Sequence, residues 1–165
     1  MQVLTMIKKF VDKVLQFLCM FLCGAMLIAV SWQVFTRFVL NNPSAISEEL
    51  ANIMFVWMAL IAAALLYGEK GHMNINFLPE KLGPYKSQVL IIISEIFTLG
   101  MALAVLTYGG YHIAANAMTQ TNAAMLWLKI GQIYSVVPFA GACIVFYAFY
   151  NIICSVRILL KLDKA

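Results

Sequence analysis

Apolar residues occupy four long blocks of the chain, separated by short polar stretches rich in turn formers. The first block reads VLQFLCMFLCGAMLIAVSWQVF from Val14 to Phe35 and follows Lys8, Lys9 and Lys13. Ala29 and Ser31 are small enough to form a cleavage site, but the block is longer than a secretory h-region, so a retained span over 14–36 is expected. Arg37 closes it. Asn41 to Ser44 then reads as a turn in which Pro43 stops any continuing helix. Ser44 or Ser47 is the expected cap of the next helix, and Glu48 and Glu49 fall in its first turn, at the positive end of the helix dipole.

The second block predicts a span over 50–67, in which Ala59 and Ala63 form a small-xxx-small pair that admits a close neighbour in lipid. Gly68, Gly71, Pro79, Gly83 and Pro84 then break the chain into a loop. Apolar side chains including Phe77 and Tyr85 alternate there with polar ones, which predicts a short interfacial segment. A third span is expected over 89–115, followed by a polar patch from Asn116 to Asn122. Trp127 and Lys129 suit a second interfacial segment, where an indole ring and a snorkelling ammonium both find partners. The last span, 133–156, contains Pro138, which frees the carbonyl of Tyr134 and predicts a kink. The expected architecture is an all-α integral membrane protein, one membrane domain over residues 1–165 with four transmembrane helices.

Composition supports the same class. Of 165 residues, 64% are apolar and 11% charged, with a mean hydropathy of +0.90, which excludes an ordinary water-soluble fold. At about 20 residues per span, four spans fit and six do not. The net charge of +4 is too dilute for a nucleic-acid surface, so no nucleic-acid partner is expected. Orientation follows from where the cations lie. Lys8, Lys9, Lys13, Lys70, Lys81, Lys86, Arg157, Lys161 and Lys164 fall on one side and only Arg37 and Lys129 on the other, nine against two. The positive-inside rule then places both termini and the middle loop in the cytoplasm.

Candidate chemistry is sparse. Cys19, Cys23, Cys143 and Cys154 lie inside apolar runs without a C-x-x-C pair, and read as inert thiols. His72 and His112 fall at opposite ends of the predicted bundle, too far apart to share a haem. No phosphate loop, activated nucleophile or metal spacing is present, so neither enzyme activity nor a cofactor or metal is expected.

Glu95 is the one acidic residue well inside a span, about 10 Å from the helix end at ~1.5 Å per residue. A coupling carboxylate of a self-sufficient proton-driven exporter is one reading. The favoured reading is an interfacial carboxylate, protonated or paired with Lys70 or Lys86. Arg37, Glu48 and Glu49 flank the hairpin between the first two spans, where they either pair with one another or face a partner protein. Gly24, Ala25, Ala59, Ala63, Gly100 and Ala104 are small positions at which another membrane helix would approach closely.

RFVLNNPSAISEELA from Arg37 to Ala51, FVWMALIAAA from Phe55 to Ala64, GEKGHMNIN from Gly68 to Asn76, and AMLWLKIGQIYSVVPFAG from Ala124 to Gly141, taken in order, resemble the small membrane subunit of tripartite ATP-independent periplasmic (TRAP) transporters. The likeness covers nearly the whole chain; one departure is Ile46, where the family often has tryptophan. The resemblance implies a non-catalytic subunit of the bacterial inner membrane, set in lipid, that braces a large transmembrane transport subunit. It also implies a periplasmic substrate-binding protein and a sodium gradient that drives uptake. Organic acids such as C4-dicarboxylates or sialic acid are the implied substrates, with a lean to sialic acid from general likeness. Substrate recognition is implied to lie in the other two components.

Overall fold

The computed structural model describes residues 2–42, 44–70 and 84–162. Among the described residues, four helical rods are long and apolar enough to cross a membrane, spanning Val3–Phe38, Ala45–Glu69, Lys86–Thr119 and Ile130–Leu160. Helix α1 runs Gln2–Phe38 and α2 Ala45–Lys70. The third rod joins α3 (Pro84–Met101), a π-helical segment (Ala102–Gly109) and α4 (Gly110–Asn116) without leaving helical dihedral angles at the joints. The fourth is α5 (Ile130–Tyr134) followed by α6 (Val136–Leu162). The expected interfacial segment of the middle loop, with Phe77, lies outside the described residues, as do His72, Lys81 and the side chain of Tyr85.

Local chemistry explains where these rods begin and end. Asn41 takes the left-handed conformation (φ 50) that closes α1, a geometry asparagine tolerates better than most residues, and the Asn42 N–H returns to the Thr36 carbonyl at 3.1 Å. Ser44 caps α2 as expected: its Oγ accepts from the Ser47 N–H at 3.4 Å and from the Ser47 hydroxyl at 3.1 Å. Ahead of Pro138, where a kink is expected, the helix is interrupted at Ser135, whose N–H and hydroxyl both turn back to the Gln132 carbonyl, at 3.3 Å and 2.6 Å. In the π segment the Thr107 hydroxyl donates to the carbonyl of Ala102, five residues back, at 3.0 Å.

The rods pack in the order α1, α2, α6, α3, with the π segment also against α6. Helices α2 and α3 do not pack along their length, so an open apolar cleft of about 440 Å³ lies between them, with Ala63 and Leu66 on one wall, Thr98 and Val105 on the other and Ile144 of α6 as its floor. The core joins Leu15, Ile61, Val136 and Tyr147, with Trp57, Leu60 and Phe146 packed against them.

Close approach, which lipid favours over hydrophobic drive, falls on glycines of the contact faces. A Cβ at Gly68 would stand 2.5 Å from the Tyr147 ring, and one at Gly141 2.8 Å from Leu106. By contrast, Gly24 and Gly100 have open space beside them, Ala59 and Ala104 face outward, Ala63 faces the open cleft, and Ala25 is half-buried.

Candidate functional site

Polar side chains gather at the two ends of the bundle and tie rods together. Along α2, Glu49 and Gly68 are about 28 Å apart at ~1.5 Å per residue, close to the ~30 Å of a bilayer's hydrocarbon. The polar groups therefore sit near the two boundaries of the apolar slab.

At the end that carries Gln2 and Leu162, Glu95 of α3 accepts two hydrogen bonds from other rods. The Tyr67 hydroxyl of α2 donates to Oε2, and the buried Asn151 amide of α6 donates to Oε1 at 3.2 Å. The favoured expectation for Glu95 needs correcting in part. Lys86 is exposed, and among the described residues no cation lies within ion-pair distance of Glu95; the side chain of Lys70 lies outside them. Two neutral donors orient the carboxylate instead, one from each flanking rod. The carboxylate thus spans the end of the α2–α3 cleft, where apolar packing is missing.

Beside it lies a cluster that the sequence reading passed over. Lys8, only 7% exposed, pairs with Asp12 at 3.1 Å, one turn along α1. Asp12 Oδ1 accepts from the Tyr147 hydroxyl at 2.6 Å. The Lys8 ammonium also stands 5.7 Å and 5.9 Å from the ring centroids of Tyr147 and Tyr150, within cation–π range. Gln16 reaches Glu69 of α2 at 3.5 Å. The i,i+4 spacing of Lys8 and Asp12 was the available signal. Its burial depends on α6, whose Tyr147 is 135 positions away.

At the opposite end, Glu49 accepts from the Asn122 amide at 2.7 Å. Asn122 is buried, and its Oδ1 accepts from the N–H groups of Ala124 and Met125 at 2.9 Å and 3.2 Å, which shapes the turn that carries Trp127. Deeper in, the Trp57 indole donates to the Ile133 carbonyl of α5 at 2.9 Å. Arg37 is exposed and lies 5.9 Å from the Phe38 ring rather than in an ion pair with Glu48 or Glu49. Hence the ion-pair reading of that corner fails among the described residues. Glu49 is committed to Asn122, while Arg37 and Glu48 point outward. Trp127 and Lys129 are exposed, and His112 stacks edge-on against Tyr108 at 4.6 Å.

At both ends these hydrogen bonds join neighbouring parts of the bundle. Among the described residues, no three His, Cys, Asp or Glu side chains gather as a metal ion requires. Among the described residues, no ion pair lies at the centre of the apolar slab.

The family model described as tripartite ATP-independent periplasmic transporters, DctQ component, matches residues 26–158. A sialic acid TRAP transporter small permease protein, SiaQ, of Vibrio cholerae is 31% identical over 98% of this chain and 92% of its own length. A Haemophilus influenzae protein named only as a TRAP transporter small permease is 31% identical over 54% of this chain and 56% of its own. The C4-dicarboxylate TRAP transporter small permease protein DctQ of Vibrio cholerae is 24% identical over 79% of this chain and 62% of its own.

Proposed function

Because the chain belongs to the DctQ component family of tripartite ATP-independent periplasmic transporters, we propose that it is a non-enzymatic subunit that braces a large membrane transport subunit. In this reading the whole assembly is a sodium-driven importer of an organic acid, and a periplasmic binding protein delivers the substrate. Sialic acid is the favoured substrate, from the relative that matches nearly the full chain, and a C4-dicarboxylate is the next. Both termini face the cytoplasm, in keeping with the nine-to-two distribution of Lys and Arg.

The observation that carries the bracing role is the placement of the polar groups. Glu95 is engaged by α2 and α6 at one boundary of the apolar slab, and Glu49 by the turn at Asn122 at the other. A carboxylate that shuttles protons needs a path and a change of partner, whereas one shared between two neighbouring rods resists movement. Such a chain suits a static frame against which another subunit moves.

Reconstitution into liposomes tests this. Uptake that requires this chain, the large subunit and the binding protein together is the expected result. Proton-coupled flux through the lone chain, abolished by Glu95→Gln, would instead establish the exporter.

A further inference from the structure

The cleft between α2 and α3 ends on a carboxylate. Its walls are apolar, with Ala63 and Leu66 on one side, Val105 and Leu106 on the other and Ile144 behind. Thr98 also lines it, but its hydroxyl turns back to the Ser94 carbonyl at 3.0 Å. Glu95 lies about one turn beyond Thr98, at the level of Tyr67, where α2 reaches the boundary of the apolar slab. From Glu95 to Leu106 the third rod advances about 16 Å at ~1.5 Å per residue, roughly half of the ~30 Å of hydrocarbon. The cleft thus runs from the headgroup level to the middle of the bilayer, the depth of one leaflet.

Cross-section separates an acyl chain from a protein helix. A volume of about 440 Å³ spread over the ~12 Å from Thr98 to Leu106 leaves ~37 Å² of section, a channel about 7 Å across. An α-helix with its side chains is ~10–12 Å in diameter, too wide to seat in it. An extended hydrocarbon chain fits.

Charge selects the headgroup. Glu95 is half-buried, and an ionised carboxylate offers about four acceptor positions, of which Tyr67 and Asn151 fill two. Both donors are neutral, and among the described residues no cation lies within ion-pair distance of Glu95. A charge at the edge of a low-dielectric slab attracts an opposite charge more strongly than one in water does. A primary ammonium brings three N–H donors together with its charge, whereas a quaternary ammonium brings charge alone. A glycerol headgroup would leave the lipid's phosphate charge uncompensated beside Glu95.

From these features we infer that the α2–α3 cleft holds an acyl chain of a phospholipid whose primary-ammonium headgroup, as in phosphatidylethanolamine, bonds to Glu95. The acyl chain supplies the packing that α2 and α3 do not give each other, and the ammonium meets the carboxylate that Tyr67 and Asn151 hold at the mouth. This chain alone builds the site, so lipid retention reads it independently of any large subunit.

The test titrates the full chain, purified and delipidated in detergent, with phosphatidylethanolamine, phosphatidylcholine or phosphatidylglycerol of identical acyl chains, and counts bound lipid by native mass spectrometry. One phosphatidylethanolamine per chain is expected, held about tenfold more tightly than either of the others, as a charge-assisted hydrogen bond gives. Glu95→Gln keeps an acceptor for the Tyr67 hydroxyl and should erase that preference with helix content unchanged by circular dichroism. Val105→Trp fills the cleft from an exposed position and should lower phosphatidylethanolamine retention about tenfold. Equal retention of phosphatidylethanolamine and phosphatidylcholine, or a preference that survives Glu95→Gln, would overturn the headgroup contact. Retention unchanged by Val105→Trp would overturn the cleft as the seat of the chain. In native membranes, a photoreactive benzophenone side chain at Val105 should give adducts to lipid, and adducts to a protein instead would make the cleft a protein interface and overturn the inference.

Discussion

Replacing Asp12 by asparagine isolates the energetic weight of the cluster at the terminus end of the bundle. The amide keeps an oxygen for the Tyr147 hydroxyl but removes the only anion paired with Lys8 among the described residues. Stripping one partner from a buried ion pair costs about 3–5 kcal/mol, because the remaining charge is left desolvated. Two features reduce that figure here. The side chains of Lys8 and Asp12 are 9% and 18% exposed, so some water reaches the pair. The two tyrosine faces also continue to stabilise the ammonium, by about 0.5–2 kcal/mol.

A net loss of about 2–3 kcal/mol is therefore expected for Asp12→Asn. The double variant Lys8→Met with Asp12→Asn should lose no more than about 1 kcal/mol, because it leaves no buried charge and keeps an oxygen for the Tyr147 hydroxyl. Unfolding titrations in mixed micelles across the full double-mutant cycle would measure both. A loss below about 0.5 kcal/mol for Asp12→Asn, or a double variant as unstable as the single one, would show that Lys8 is solvated and would refute the reasoning.

Three further expectations follow from other parts of the molecule. Gly68→Ala should destabilise the fold by about 1–3 kcal/mol through the Tyr147 ring, against which better helix propensity restores at most about 1 kcal/mol, whereas Gly100→Ala should be neutral or slightly stabilising in the same titration. Asn122→Asp should place a second carboxylate against Glu49 and loosen the turn before Trp127, read as faster proteolysis there, while Asn122→Ser should have a smaller effect. A thiol at the exposed Ala123 should react with an impermeant reagent applied outside intact cells, while one at Lys9 should not; the reverse result would invert the topology.

The number of rods, their helical nature, the Ser44 cap and the break ahead of Pro138 were legible in the sequence by itself. Each is decided within a few residues: by enough apolar side chains to cross lipid, by a hydroxyl three residues from an unpaired N–H, or by a ring that removes a donor. Which faces meet was not legible. Inside lipid, a helix face turned to a neighbour and one turned to acyl chains are equally apolar, so hydrophobic periodicity loses the contrast it has in water. For that reason the small residues expected at close contacts face outward at Gly24, Gly100, Ala59 and Ala104 and face the open cleft at Ala63, while Gly68, Gly110 and Gly141, with the same local appearance, carry the close contacts. Glu95 showed the same division. Its place inside a span was evident, but its partners Tyr67 and Asn151 are 28 and 56 positions away and reach it only because α6 packs on both α2 and α3. Only the tertiary structure decided that pairing, because a hydrogen bond between rods depends on their rotation and register, which no local free energy sets.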